Sequence, residues 1–353
     1  MNLGSKKNPP QLNERMTDRS RNDPKMQPSL TPPPKVMSLN INNVQELTVR
    51  LGLCCLFVKQ PIRFRTTTAR AQSKLSLDKR IRKIRSLAAN NAVALRAAID
   101  YCALNGIGCF RVNSKILPLK THPQHGYNTE LLGEDIIEGF KRCGKQASQK
   151  NIRITFHPDQ FVVLSSPNRQ VVKNSISELE YQAEVAEWIS ADVINIHGGG
   201  GYGDKPSALK RFAESVGELS DRVRSRLTIE NDDRTYTPSD LIPMCQKIGI
   251  PLVYDVHHHR CHGDGLDLNS ATALAVKTWD REPLFHVSSP REGWQADNPR
   301  PHHDYIDTRD FPALWRGMNI TVEVEAKAKE LAVSKLRKEL IQDMASKVEV
   351  HAK

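Results

Sequence analysis

Short apolar runs alternate along the chain with longer stretches whose apolar residues recur every three or four positions. Thr48–Cys55 (TVRLGLCC) reads as a buried strand, and Leu77–Leu104 as a long amphipathic helix with Ile81, Ile84, Leu87, Ala88 and Leu95 along its apolar face. The same alternation continues. Strands are predicted at Ile107–Val112, Ile152–Phe156, Val193–Ile196, Leu227–Ile229, Leu252–Tyr254, Leu284–Val287 and Asn319–Val324. Helices are predicted at Glu130–Gln149, Gln170–Ile189, Ser207–Arg222, Pro238–Lys247, Asn269–Trp279, a short piece at Asp310–Arg316, and Lys327–Met344. Strands alternating with helices argue for a parallel sheet. Eight such units argue for a closed sheet, so the predicted fold is α/β, a (β/α)₈ TIM barrel. An open doubly wound sheet is the alternative, weakened because no GxGxxG follows the first strand.

Composition changes this picture at the ends. The first forty residues are rich in Pro, Lys, Arg, Asn and Ser, and PSLTPPP cannot hold a helix or a central strand. The expected organisation is a disordered basic, Pro-rich tail (1–45), a barrel domain (46–345) and a C-terminal tail (346–353). A barrel needs about 250 residues, so one large domain fits the 353-residue chain better than two. The net charge of +11 favours polyanions such as nucleic acid, although it also serves solubility. Seven cysteines, an odd number with no CxxC pair, point to free thiols in a reducing compartment. With no secretory signal and no apolar run near the ~18 residues of a span, the expectation is a soluble intracellular monomer, cytoplasmic in a bacterium and nuclear in a eukaryote.

The candidate chemistry lies where the strands end. The third strand ends at His157, the fourth at His197, the fifth at Glu230, the sixth at Asp255 with His258 three residues on, the seventh near His286 and the eighth at Glu325. In a barrel all C-terminal strand ends meet on one face, where active sites lie. A single such histidine is usually a hydrogen-bonded structural residue; six consecutive strands presenting His, Asp or Glu point to metal. Mixed imidazole and carboxylate ligands suit Zn²⁺, Mn²⁺ or Fe²⁺. There are too many for one four-coordinate site, so two or three ions are expected, with Glu230 as the bridging carboxylate. Closely spaced metals suit phosphodiester hydrolysis, because they activate water and stabilise the leaving oxygen. The run Gly198–Gly201 is either a phosphate cradle or a plain turn. Of His257, His258, His259 and His262, one or two are expected to face metal. Arg111, Lys115, Lys120, Arg169 and Lys173 are candidate phosphate contacts or a solvated rim. Phe161, Trp294 and Tyr305 could stack on bases.

In this order the chain carries Arg50-Leu51-Gly52, Arg111-x-x-Ser114, HPDQFVVLSSP from His157, His197-Gly-Gly, Glu230-Asn-Asp, Asp255-x-x-His258, His286-x-Ser-Ser, His302-x-Asp-Tyr305 and Glu325-Ala-Lys-x-Lys-Glu330. This series resembles the UV damage endonucleases from about Val49 to Leu331. The resemblance implies a barrel related to the endonuclease IV enzymes, carrying up to three metal ions, typically Mn²⁺, with Zn²⁺ or Mg²⁺ as alternatives. It implies double-stranded DNA with photoproducts as substrate, cut immediately 5′ to cyclobutane dimers and 6-4 photoproducts. His157, His197 and Glu230 are then expected to hold one metal. Glu230, Asp255, His286 and Glu325 would hold a second, and His258 and His302 a third. Glu230, Glu325 and His122 are the expected catalytic residues, and Gln160, Phe161, Arg111 and Ser114 the expected DNA and lesion contacts. Two positions depart from the pattern. Leu53 stands where many relatives have a wedging aromatic, and Leu284 where some have a lysine before the seventh-strand histidine. The competing functions are a metal-dependent sugar isomerase or epimerase on the same barrel, an abasic-site endonuclease, and a damage-binding protein without catalysis.

Overall fold

A computed structural model describes residues 47–351; the stretch 1–45 expected as a tail lies outside them. Eight parallel strands close into a barrel in sequential order, β1 pairing with both β2 and β8. They are β1 Arg50–Cys54, β2 Cys109–Val112, β3 Arg153–Phe156, β4 Val193–His197, β5 Leu227–Glu230, β6 Leu252–Asp255, β7 Leu284–Val287 and β8 Thr321–Val324. The helices are α1 Ala69–Ser73, α2 Leu77–Leu104, α3 Glu134–Gln149, α4 Arg169–Ile189, α5 Lys205–Val216, α6 Asp221–Arg224, α7 Pro238–Ile248, α8 Val256–Cys261, α9 Leu268–Val276 and α10 Glu330–His351. None of the described helices is long and apolar enough to cross a membrane.

The TIM-barrel expectation holds; the differences are local and have local causes. The segment expected as one helix from Glu130 is a 3₁₀ turn, Thr129–Leu132, and then α3, because Gly133 between them has φ +80°. The segment Ser207–Arg222 divides into α5 and α6, since Ser220 caps a new helix with its hydroxyl on the Val223 amide. Among the described residues no α-helix lies between β7 and β8; a long loop leads to the 3₁₀ helix Ala313–Gly317. α10 runs to His351, past the Met344 end expected for it and into the stretch set aside as a tail.

The outer faces of the strands pack on the helices. Leu51 and Leu53 of β1, Phe110 of β2, Ile154 and Phe156 of β3 and Val322 and Val324 of β8 all lie in this layer, essentially inaccessible to solvent. Leu53, the residue at the departed aromatic position, is therefore a core residue here. The alternate residues point into the lumen, which side-chain contacts between non-adjacent strands establish. Arg153 on β3 reaches Thr321 on β8 at 3.1 Å, and Thr155 on β3 reaches Glu323 on β8 at 2.5 Å. The lumen floor carries a small apolar layer of Val193, Val253 and Leu284. Leu284 sits there, two residues below His286 on the same strand.

Candidate metal centre

The strands deliver the side chains because each ladder stops at the same level. Pro158 has no amide hydrogen to continue β3, so His157 is the first residue beyond it. β4 ends against Gly198 and Gly199. A Cβ on Gly198 would stand 2.6 Å from the Tyr236 ring, and one on Gly199 would stand 2.6 Å from Ser165 Oγ. Close packing therefore explains these two glycines of the run. Asp255 ends β6 and also caps α8. Its Oδ1 accepts from the His258 amide at 2.7 Å, which leaves Oδ2 for the centre and brings His258 round beside it.

Glu230 lies in the middle and is 1% exposed. His157 Nε2 is 3.1 Å from its Oε2; His258 Nδ1 and His286 Nδ1 are each 3.2 Å from its Oε1. Three groups have ligand atoms within 4.8 Å of one another: His157, His197 and Glu230; Glu230, Asp255 and His258; and Asp255, His286 and Glu325. Two carboxylates, Glu230 and Asp255, each belong to two groups. The expected third pair is arranged differently. His258 turns to Glu230 and Asp255, whereas His302 stands at 3.7 Å from Glu325, its ring centre 6.2 Å from that of His258. Of the four histidines around α8, only His258 faces these carboxylates. His257 Nε2 meets the Arg300 carbonyl at 3.1 Å, and His259 lies between the Tyr254 hydroxyl at 2.7 Å and Asp264 at 2.8 Å.

Among the described residues, His197 Nδ1, Asp255 Oδ2 and His286 Nδ1 are buried atoms without a hydrogen-bond partner. Each such atom costs about 1–3 kcal/mol when left unmet, and all three belong to one cluster. A divalent cation fits them, because imidazole nitrogens and carboxylate oxygens are ordinary ligand atoms for such ions. The protein alone compensates in part by charge pairing. Burial pulls the His286 pKa down, but the carboxylates of Glu230 and Glu325 outweigh it and hold it well above the ordinary histidine value. His258 is raised in the same way, against burial, by Asp255 and Glu230. Burial pushes Glu230 up, but His286 and His197 hold it well below the carboxylate range. Glu325 is likewise held low, against burial, by Arg111 and His286. His197 is lowered, chiefly by burial.

The other expected site residues are spread over the loops after β3, β2 and β7 and the barrel interior. Gln160 and Phe161 are exposed on the loop after β3, Phe161 at 76%. Ser114, half-buried after β2, accepts the Tyr181 hydroxyl on its carbonyl at 3.0 Å. His122 stays within its own loop. Its Nδ1 accepts from the Gln124 and His125 amides at 3.1 and 3.2 Å, and its ring packs on His125. Arg111 does not reach the surface as a phosphate contact. It is 6% exposed and paired with Glu325 at 2.5 Å and Glu323 at 3.3 Å, so its charge is already matched inside the barrel. Trp294 donates to Asp310 at 2.8 Å and packs on His257, which makes it a loop anchor.

The supporting layer was not anticipated. Asn195 donates to Glu230 Oε2 at 2.6 Å and accepts from Thr228 at 3.0 Å. Asn231 ties to the Asp255 backbone in both directions at 2.9 Å. Glu323 lies beneath His286. The signal was present in the alternation of VEVE, which puts Glu323 on the same side as Glu325.

The fold and the cluster together define a parallel barrel whose C-terminal face gathers histidines and carboxylates in groups able to hold metal ions. A family model described as UV-endonuclease UvdE matches residues 49–352, and the chain belongs to that family. It is 34% identical over 301 residues to a UV DNA damage endonuclease of Bacillus velezensis, covering 81% of this chain and 91% of that one. The crystal structure of SacUVDE superposes with a TM-score of 0.74 at 28% identity, covering 83% of this chain and 98% of that one. Endonuclease IV from Thermus thermophilus superposes with a TM-score of 0.55 at 12% identity, covering 84% of this chain and 99% of that one, a likeness of fold alone.

Proposed function

We propose that this protein nicks double-stranded DNA immediately 5′ to cyclobutane pyrimidine dimers and 6-4 photoproducts, by metal-assisted hydrolysis that leaves a 3′-hydroxyl and a 5′-phosphate and starts excision repair. The observation that carries the reading is the set of three ligand groups joined through Glu230 and Asp255, in a chain of the UV-endonuclease family. His157, His197 and Glu230 hold one ion. Asp255, His286 and Glu325 hold a second, with Glu230 beside them, and His258, with His302 further out, serves a third. Mn²⁺ is the first choice, ahead of Zn²⁺ and Mg²⁺. Such ions supply an activated water and stabilise charge on the phosphoryl group and leaving oxygen.

The chain's own residues do the rest. Arg111 and Asn195 hold Glu325 and Glu230 in place. Phe161 and Gln160 project from the loop that follows His157, where they can test the stacking of the damaged strand. His122 has its Nδ1 engaged, leaving Nε2 to exchange a proton at the rim. A photoproduct weakens stacking, so kinking the duplex there costs less and one site can accept several lesions. The +11 charge favours the encounter. All proposed ligands come from one barrel, which suits an intracellular enzyme acting as a monomer.

The test is an end-labelled duplex with a single thymine dimer, incubated with Mn²⁺ or with chelator, beside an undamaged duplex. A metal-dependent nick just 5′ of the dimer, absent from the control, is expected. No nick with any divalent metal would sink the photoproduct reading and turn attention to abasic sites and sugars.

A further inference from the structure

Glu323 is a charge buried in the middle of the barrel lumen, 1% exposed. A buried carboxylate is costly unless it is paired, and this one is surrounded. Its Oε2 stands 3.0 Å from His286 Nε2, off the line of a straight hydrogen bond, and 3.3 Å from Arg111 Nε. Its Oε1 accepts from Thr155 at 2.5 Å and lies 4.0 Å from Cys109 Sγ. Every one of these partners belongs to the lumen, and His286 and Arg111 connect it to the proposed ligand set.

With Nε2 turned down to Glu323, His286 presents Nδ1 upward, 3.2 Å from Glu230 and 3.5 Å from Glu325. A carboxylate behind an imidazole fixes its tautomer and raises its basicity as a ligand. Glu323 also acts on Arg111, which is shared between Glu323 and Glu325. A guanidinium beside a ligand carboxylate competes with a cation for it. Glu323 supplies the other half of the neutralising charge, so Glu325 is not fully committed to Arg111.

Gly52 is the third part. A Cβ at this position would lie 3.1 Å from Glu323 Cγ and 3.2 Å from Cys109 Cβ, closer than side chains ordinarily pack. The glycine of the Arg50-Leu51-Gly52 run is thus the residue that makes room for the Glu323 side chain.

We propose that Glu323 is a positioning residue of the metal centre, setting which nitrogen His286 offers and, through Arg111, how freely Glu325 can bind, with Gly52 providing its space. This rests on the metal reading of the preceding subsection. Nothing in it requires Glu323 to touch metal or DNA.

The experiment is a Mn²⁺ titration of the full chain, following the free ion by electron paramagnetic resonance, for the wild type, Glu323→Gln and Gly52→Ala. Melting of each metal-free protein is recorded alongside. Glu323→Gln keeps the shape and an acceptor oxygen but removes the charge, and is expected to weaken Mn²⁺ binding by roughly 10–100-fold. Gly52→Ala removes no functional group and is expected to weaken binding by a smaller factor, with a modest fall in the metal-free melting temperature from the added crowding. Wild-type affinity in Glu323→Gln would overturn the proposal, and so would a Gly52→Ala protein that melts lower but binds Mn²⁺ normally. If the wild type itself bound no Mn²⁺, the metal reading would fall first, and that outcome is distinct from either of these.

Discussion

At the N-terminal end of the lumen, Arg50 meets Glu282 at 3.0 Å and the Asn151 carbonyl at 2.7 Å, while Arg153 meets Asp192 at 2.8 Å and Thr321 at 3.1 Å. At the C-terminal end, His197, Asp255 and His286 bury polar atoms that meet no hydrogen-bond partner among the described residues. Both ends are charged and largely enclosed, and they sit on the same eight strands. They differ in how their buried polar atoms are met. At the lower end the charges pair with one another, with Arg281 Nε left without a hydrogen bond beside Asp192, so this end is nearly finished. At the upper end orphaned atoms of His197, Asp255 and His286 lie together in one cluster and leave it unfinished. A single orphaned atom does not mark a site; several gathered at one place do.

The largest expected effect comes from the centre of the unfinished end. Glu230→Ala or Glu325→Ala should abolish nicking and lower the amount of metal bound, measured by cleavage assay and metal analysis. The fold should survive, as judged by circular dichroism. Near-normal turnover in either variant would remove the basis for a shared-carboxylate centre. The mirror-image change is Arg153→Ala at the finished end. It removes the nearer partner of Asp192, leaving Arg281 at 3.7 Å, and should cost about 2 kcal/mol in denaturant unfolding, less than a fully buried pair because Asp192 is partly exposed and keeps one cation. Its metal stoichiometry should not change. If Arg153→Ala lost metal as readily as stability, the two ends would not be separable.

A smaller effect is expected one layer below the ligands. Asn195→Ala removes the donor on Glu230 Oε2 and should weaken metal binding by roughly 10–100-fold, read by calorimetry. Unchanged affinity would make Asn195 a space-filling residue only. The smallest effect is protonic. In the metal-free protein the pKa values of His286 and His258 are raised above the ordinary value by their carboxylate neighbours. A metal takes the neutral imidazole, so binding near pH 7 should release protons, and affinity should fall as the pH is lowered. Calorimetry in buffers of different ionisation enthalpy checks the sign. No release would mean that these two histidines are not ligands.

Most of the barrel was legible because its strands are short apolar runs and its helices long periodic ones, two patterns that do not mimic each other. Helix interruptions were harder. Gly133 and the Ser220 cap act through single residues inside an otherwise continuous helical pattern. At the site, the residues ending the strands could be read directly, since strand ends of a barrel share a face. Arg111 was misplaced because a basic residue at a strand end looks the same whether it turns out to phosphate or inward to Glu323 and Glu325. Leu53 stands where many relatives have a wedging aromatic, and the period of two along β1 assigns it to the helix layer. Glu323 is marked in the sequence by the alternation of VEVE, whereas Asn195 and Thr228 show their supporting role only through contacts between strands, which one-dimensional spacing does not contain.

The wide separation of the ligands along the chain has a consequence for how the protein is made. The cluster draws on residues from His157 through Glu325, one strand after another, and β8 must pair with β1 before the ring is closed. A ribosome has to release nearly the whole described barrel before the last carboxylate joins the others. Until then a nascent chain carries some of the ligands on an open sheet, without the enclosure that orients them. The complete ligand cluster is in this way withheld from unfinished or truncated copies, by topology alone.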